Sequence, residues 1–222
     1  MGAMSTQRSY DDACGMAHAL DLVGERWALL VVRELTVGPK RFSDLKTGLP
    51  GISTNVLSHR LDELERHGVV RRRHLPPPAA SWVYELTEWG AELEPVIRQF
   101  GRWGARSPAH RPDLHLSVAS WILSLRTNFD PAAAAGMSSE YEVRLGEDCF
   151  RARIQDGVLD VERGPAERPS AVLTGSPEAL AGVIYGGRDL DAAIATGDLV
   201  VDGDQASAGR FMQLFPLPTP AR

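Results

Sequence analysis

Cysteine is scarce in this chain of 222 residues, which has only Cys14 and Cys149. Two cysteines cannot form a disulfide framework, and so low a number is typical of a reducing compartment. The chain also lacks an apolar run of about eighteen residues, the length that a membrane helix needs, and its start lacks an apolar signal core. We therefore expect a cytoplasmic protein with no membrane partner.

Catalytic motifs are also missing. The sequence contains no G-x-S-x-G or H-E-x-x-H motif, no phosphate-binding glycine loop, and no cluster of Cys and His at metal-ligand spacing. We therefore expect a protein that is not an enzyme and that holds no metal and no cofactor.

The chain has no overall positive charge, and its net charge of −5 would disfavour nucleic acid if it were evenly spread. It is uneven. Residues 1–107 hold 14 Lys and Arg against 13 Asp and Glu, whereas residues 108–222 hold 10 against 16. A local basic surface therefore remains available in the first half only.

A stretch rich in Pro, His and Arg, "ARSPAHRPD" (105–113), separates two differently built halves. The first half has mainly helical spacing, and the second mixes alternating strands with helices. We predict an α+β protein with a first domain over residues 8–107 and a second, α/β domain over residues 108–222.

The first half contains the order helix, tight turn, helix and hairpin. The segment "RFSDLKTGLPGISTNVLSHRLDELERHG" (41–68) predicts two helices around a Pro-Gly turn. Ser53 can cap the second helix, and Leu57, Leu61 and Leu64 have the spacing of an inward face. Two short strand patterns (69–75 and 81–87) then flank "PPPAA", which predicts a hairpin. This order is that of a winged helix-turn-helix, in which the second helix enters the major groove of DNA.

Candidate DNA contacts follow from this arrangement. The outward face of the second helix offers polar groups for base edges, the hairpin offers cations, and the start of the preceding helix offers further charge. These residues are Asn55, Ser58 and His59, then Arg71, Arg72 and Arg73, then Lys40 and Arg41. Protein–protein modules also use helix-turn-helix shapes, and an arginine run is often only a solvated face. The hairpin directly after the helix favours DNA binding.

The first half resembles the HxlR-type winged-helix transcriptional regulators of bacteria over about residues 12–105, through "ALDLVGERWALLVVREL", "RFSDLKTGLPGISTNVLSHRLDELERHGVVRR" and "YELTEWG". The resemblance implies a homodimer, with the first and last helices of this half at its interface, bound to a pseudo-palindromic operator of double-stranded DNA, usually as a repressor. By position, Ser53, Thr54, Asn55, Ser58 and His59 take the base-reading helix, and the stretch from Arg72 to Ser81 takes the wing.

Cys14 falls where many HxlR-type members carry a cysteine, and some of them sense electrophiles or oxidants with it. The usual following Pro is Gly15 here. The neighbouring Asp11 and Asp12 disfavour a thiolate. A quietly packed thiol is therefore the alternative to a redox role.

The second half concentrates apolar side chains in amphipathic segments. A curved sheet covered by helices can enclose an apolar cavity, although most such side chains would form an ordinary core. The segment "AVLTGSPEALAGVIYGGRDLDAAIATGDLVVDGDQASAGRFMQLF" (171–215) resembles the closing part of a sterol-carrier-protein-like domain. That resemblance implies a five-stranded sheet and a tunnel for an apolar small molecule. The candidate pocket residues are Trp121, Leu125, Phe150, Ile154, Val183, Ile184, Phe211 and Leu214.

Three hypotheses remain open from the sequence. The protein is a DNA-binding regulator that responds to a hydrophobic effector, or a regulator whose second domain is an empty scaffold. Alternatively, it is a lipid-carrier or accessory protein that uses its winged helix only to dimerise.

Overall fold

The computed structural model describes residues 9–221, which divide into two compact units between Glu94 and Pro95. Arg8, the first residue of the predicted first domain, and most of the chain start on which the signal-segment expectation rests lie outside the described residues. The predicted domain bounds, 8–107 and 108–222, stay a prediction.

The first unit contains five helices and a two-stranded hairpin among its described residues. They are α1 (Gly15–Val23), α2 (Ala28–Leu35), α3 (Phe42–Gly48), α4 (Thr54–Arg66), β1 (Val70–His74), β2 (Trp82–Leu86) and α5 (Glu88–Ala91). The strands are antiparallel, with Val70 opposite Leu86 and His74 opposite Trp82. The two helices predicted within residues 41–68 and the hairpin predicted after them are therefore confirmed.

The core of this unit forms around the predicted leucine face of α4. Leu57 and Leu61 are completely buried and Leu64 is 1% exposed, as their spacing predicts. Leu45 of α3 and Val31 of α2 are completely buried as well. Burying a side chain of this size stabilises the fold by about 1.5–3 kcal/mol.

Helical spacing predicts one apolar face with Met16 and Leu20 in residues 11–23 and another with Trp27 and Leu30 in residues 25–36, and both differ in the structure. Met16 and Leu20, on the apolar face of α1, are 65% and 37% exposed. The predicted helix from residue 25 begins only at Ala28, because Trp27 has φ 79° in the left-handed region. Leu30, predicted to share its inward face, is exposed.

Helical spacing predicts one last helix in the first half, capped by Thr87, running to Trp103 and kinked at Pro95, but the structure has two helices. α5 ends at Ala91, and α6 (Leu93–Ala105) begins two residues later. Pro95 has no N–H to donate to the carbonyl of Ala91, so the helix cannot run through unbroken. The kink predicted at Pro95 is therefore a break.

The second unit is a five-stranded sheet with helices. Its elements are α7 (Val118–Asn128), β3 (Ser138–Leu145), β4 (Asp148–Gln155), β5 (Val158–Arg163), β6 (Ala171–Gly175), α8 (Pro177–Ile184), α9 (Leu190–Ala195), β7 (Leu199–Gly203) and α10 (Gln205–Met212). The strand order is β5-β4-β3-β6-β7, and only the β3–β6 pair is parallel. The predicted α+β class and five-stranded sheet are confirmed.

One face of this sheet carries the core. Tyr141 and Val143 of β3 and Phe150 and Ile154 of β4 are buried at alternate positions, as a half-buried sheet requires. Within residues 9–221 no helix is both long and apolar enough to span a bilayer. The same residues contain no group of three or more His, Cys, Asp or Glu that could hold a metal ion.

Candidate DNA-binding surface

The exposed start of α4 carries the predicted base-reading residues. The Ser53 hydroxyl accepts a hydrogen bond from the backbone N–H of Val56 at 3.2 Å and so caps the helix. Thr54, Asn55 and Ser58 are exposed, while the leucines behind them are buried. A capped helix start with free N–H groups and short polar side chains suits both phosphate and base edges.

His59 completes this exposed face but is held on one side. Its Nδ1 lies 3.3 Å from a carboxylate oxygen of Glu63, one turn along the helix. Glu63 also accepts a hydrogen bond from Arg60. The other ring nitrogen of His59, Nε2, has no contact with this carboxylate.

Val56 is a surface residue that the sequence reasoning missed. It lies between Asn55 and the buried Leu57 and is 37% exposed. An apolar side chain on a base-reading helix can contact the methyl group of thymine. The sequence does indicate this exposure, because Leu57 belongs to the inward face of α4 and residue 56 lies beside that face rather than on it.

The wing divides its three arginines between two faces. Arg71 Nε lies 2.7 Å and Arg73 Nη2 lies 2.8 Å from the carboxylate of Glu85, on the opposite strand. The hydrogen bond from Arg73, followed by that from Arg71, lowers the pKa of Glu85 against the opposing effect of burial. Arg72 points to the other face, with its guanidinium 4.6 Å from the centre of the Trp82 ring.

Arg41 and Lys40, the two residues before α3, differ in their exposure to solvent. Arg41 is exposed, and its Nε donates to the hydroxyl of Ser81 at 3.1 Å, which joins the start of α3 to the wing. Lys40 is only 9% exposed, and its ammonium lies 2.7 Å from Oε2 of Glu34, a completely buried residue. The structure therefore places Lys40 inside the unit, where its ammonium is directed at a carboxylate.

Lys40 also pairs with the wing through its backbone. Its N–H donates to the carbonyl of Tyr84 at 3.0 Å, and its carbonyl accepts from the N–H of Tyr84 at 2.8 Å. These two bonds fix β2 against Lys40, two positions before the start of α3. The wing and the helix-turn-helix thus share main-chain hydrogen bonds.

The predicted pocket residues lie mainly in the core of the second unit. Six of them, Trp121, Leu125, Phe150, Ile154, Phe211 and Leu214, are between 0% and 3% exposed, while Val183 and Ile184 are half-buried. The ring of Phe211 packs 4.5 Å from that of Tyr141, measured between centres. The structure thus buries these six residues in the core of the second unit, whereas Val183 and Ile184 of α8 are only partly covered.

A polar seam that the sequence reasoning missed runs along α7. The hydroxyl of Ser124 lies 2.8 Å from that of Tyr185 and donates to the carbonyl of Trp121 at 2.7 Å. Burial raises the pKa of Tyr185 against hydrogen bonds from Ser124 and Asn128. Among the described residues, Trp121 Nε1 and Asn128 Oδ1 are buried without a hydrogen-bonding partner.

Comparison with known proteins decides the family of the first unit. The family model of HxlR-like helix-turn-helix proteins matches residues 22–111. The uncharacterized HTH-type transcriptional regulator YvaP of Bacillus subtilis is 40% identical over 85 residues, which are 38% of this chain and 79% of YvaP. This chain belongs to the HxlR-like helix-turn-helix family. The HTH-type transcriptional regulator YodB of the same organism is 39% identical over 88 residues, 40% of this chain and 79% of YodB.

Solved structures give matches to each part of this HxlR-like protein. The reduced form of YodB is 35% identical, covers 43% of this chain and 94% of its own, and superposes with a TM-score of 0.39. The model of the alkyl sulfatase C-terminal domain matches residues 114–221. A double mutant of the sec-alkyl sulfatase PisA1 is 20% identical, with 47% of this chain and 17% of the sulfatase covered at a TM-score of 0.43. The family model that matches the second unit is that of the alkyl sulfatase C-terminal domain, and the sterol-carrier-like character of this unit stays a prediction.

Cys14 of the HxlR-like unit is exposed, not quietly packed. It occupies the position before α1, and the backbone N–H groups of Ala17 and Met16 lower the pKa of its thiol. Its own N–H donates to the carboxylate of Asp12 at 2.9 Å. The geometry gives Cys14 the exposure and lowered pKa of a reactive thiol, while a redox role stays a prediction.

Proposed function

We propose that this HxlR-like transcriptional regulator is a cytoplasmic repressor that binds a pseudo-palindromic operator as a homodimer. The observation that supports this most is the start of α4, where Ser53 caps a helix whose Thr54, Asn55 and Ser58 are exposed beside a wing. Base edges in the major groove require such short polar groups on a rigid element. The relatives named transcriptional regulators support a regulator rather than an enzyme.

The operator can be found by selecting genomic fragments that the whole protein retains. Substituting Asn55 by Ala should reduce discrimination between the selected site and a mutated site by about 1–3 kcal/mol. Gln213→Ala, an exposed amide of the second unit, is the matched control and should leave discrimination unchanged. Equal binding of all fragments by the unsubstituted protein would rule out specific regulation and favour the accessory-protein hypothesis.

The homodimer is supported by apolar side chains that face solvent on α6. Val96, Phe100 and Trp103 follow at helical spacing and are 57%, 61% and 70% exposed. The rings of Phe100 and Trp103 stack with centres 5.9 Å apart. A stripe of large apolar groups in water is costly unless another surface covers it, since each such side chain gains about 1.5–3 kcal/mol on burial.

Sedimentation of single variants tests this dimer. Trp103→Glu should shift the protein to monomers, because a carboxylate cannot be buried against an apolar partner surface without a large desolvation cost. Gly101→Glu adds the same charge on another side of α6, where a new side chain meets no atom within 4 Å, and should leave the dimer intact. A Trp103→Glu protein that remains dimeric would contradict the assignment.

We further propose that the second unit is sterol-carrier-like and binds an apolar small-molecule effector. Its buried aromatic side chains and the half-buried apolar helix α8 support an apolar ligand. A tenfold change in operator affinity requires only about 1.4 kcal/mol of coupling between the two sites. Native mass spectrometry of the purified protein, followed by titration with any copurified molecule, tests the idea. If no apolar molecule binds, the second unit is a scaffold.

A further inference from the structure

Three consecutive arginines on a wing suggest one basic patch, but strand geometry separates them. Successive side chains of a strand point to opposite faces. Arg71 and Arg73 therefore share the face of Glu85, whereas Arg72 shares the face of Tyr84 and Trp82. Arg71 and Arg73 share one carboxylate partner, whereas Arg72 contacts an aromatic ring, so Arg72 cannot be equivalent to the other two towards DNA.

Glu85 holds Arg71 and Arg73 in one cluster. Its carboxylate is mostly buried, and it accepts hydrogen bonds from Arg71 Nε at 2.7 Å and from Arg73 Nε and Nη2 at 3.0 and 2.8 Å. One carboxylate against two guanidinium groups leaves a single positive charge for the cluster. The donors that bond Glu85 are occupied by its carboxylate and are not available to a phosphate while these bonds hold.

Arg72 has the opposite environment. It makes no ion pair in the part of the chain that the structure describes, and its guanidinium stacks over the exposed Trp82 ring. His74 contacts the same ring edge-on at 5.0 Å between centres. A flat cation on an indole face is oriented but keeps its hydrogen-bond donors free for phosphate or sugar.

Arg72 also lies next to the base-reading helix. Its backbone N–H donates to a carboxylate oxygen of Glu65 on α4 at 3.2 Å. Glu65 and Asp62 are exposed on α4, so their charges would repel a phosphate backbone. The backbone of Arg72 thus joins the wing to this acidic part of α4.

We propose that the wing contacts DNA through Arg72 alone of its three arginines, with Trp82 as its positioning residue, while Glu85 restrains Arg71 and Arg73 and so limits non-sequence-specific affinity. This inference rests on the proposed DNA-binding function and adds a division of roles within the wing. Glu85 becomes a determinant of specificity although it never touches DNA.

The charge roles are tested by the salt dependence of binding. The probe is a fluorescein-labelled duplex of mixed sequence, and its anisotropy is titrated with the whole protein between about 50 and 200 mM salt. Each phosphate contact contributes about 0.9 to the slope of log affinity against log salt. Arg72→Ala should make the slope shallower by about 0.9, and Arg73→Gln should make it shallower by less than half of that. Glu85→Gln should steepen it by about 0.9 and strengthen binding to this duplex several-fold.

The matched control for charge is Glu167→Gln, which makes the same change at an exposed position of the second unit and should leave the slope unchanged. Equal losses for Arg72→Ala and Arg73→Gln, or an unchanged slope in Glu85→Gln, would overturn the proposal. If Glu85→Gln fails to fold, the comparison of the two arginine variants still decides. A wild-type protein that binds no duplex at all would instead overturn the proposed function.

Trp82 is tested by its conservative variant. Trp82→Ala keeps every charge, so the salt slope should stay constant while the affinity falls several-fold because Arg72 loses its platform. Trp82→Phe keeps an aromatic face and should restore most of the affinity. If Trp82→Ala binds like the wild type, or if Trp82→Phe binds as weakly as Trp82→Ala, Trp82 does not position Arg72.

Discussion

Replacing Lys40 by Met is the substitution that best separates structure from DNA contact in the first unit. The change removes the ammonium from Glu34, which is completely buried and also held by Arg33 at 2.8 Å. Breaking a buried ion pair from one side costs about 3–5 kcal/mol. Since Arg33 retains the other carboxylate oxygen, we expect the lower end of this range, about 3 kcal/mol.

The appropriate measurement is amide hydrogen exchange in α2. Two units can unfold separately, so one global free energy of unfolding is not defined for this chain. Exchange of the buried amides of Val31, Val32 and Leu35 reports the local opening free energy, which Lys40→Met should lower by about 3 kcal/mol. The paired variant Glu34→Leu/Lys40→Met should recover most of it, because apolar groups of similar volume replace a buried pair at little cost.

Two outcomes would refute this reasoning. A loss below about 1 kcal/mol would mean that the pair is not a structural requirement, since ordinary substitutions reach that size. A salt slope of DNA binding reduced by about 0.9 would mean that Lys40 does contact phosphate. Arg168→Met removes one positive charge from an exposed position of the second unit and is the control for net charge.

Three further expectations can be measured on single variants. Gly90→Ala should lower the local opening free energy of the first unit by about 3 kcal/mol, measured by exchange of its buried amides, because its Cβ would lie 2.0 Å from the backbone carbonyl oxygen of Val69. Glu85 has a lowered pKa, so its contribution to stability is complete above the ordinary glutamate pKa and is lost as the pH falls through its folded value. In Glu85→Gln the stability of the first unit should therefore fall less steeply as the pH is lowered through this range. Iodoacetamide should alkylate Cys14 faster than Cys149, because Cys14 is exposed with a lowered pKa whereas burial raises the pKa of Cys149.

Each of these expectations has a contrary result. Gly101→Ala, which meets no atom within 4 Å, should not destabilise the protein, and a Gly90→Ala protein as stable as it would contradict the close approach. An unchanged acid midpoint in Glu85→Gln would mean that its carboxylate gains nothing from the two arginines. Equal alkylation rates, followed by mass spectrometry of the two peptides, would exclude an activated thiol at position 14.

Local chemistry explains how much of the fold was predictable. Ser53 and the spacing of Leu57, Leu61 and Leu64 predict α4 because one capping group and one apolar face are enough to define a helix. The five strands of the second unit follow from the same kind of short-range alternation and turn residues. Exposure of the polar start of α4 followed directly from the position of its leucines.

Long-range pairing explains what the sequence could not reveal about the candidate site. Arg71 and Glu85 are 14 positions apart and meet only through the hairpin register. Lys40 is buried because Glu34, on the preceding helix, needs a cation inside the unit. Neither contact has a periodic signal in the sequence, so the run of arginines alone does not show that two of them share the carboxylate of Glu85.

The main-chain pairing of Lys40 with Tyr84 holds the base of the wing independently of the residues at its tip. The two backbone hydrogen bonds depend on no side chain, so they hold the base of the hairpin whatever residues occupy positions 76–80. Insertions, deletions or grafted peptides in that loop should leave the helix-turn-helix undisturbed. The tip of the hairpin is thus a place where the sequence can vary at little cost to the fold.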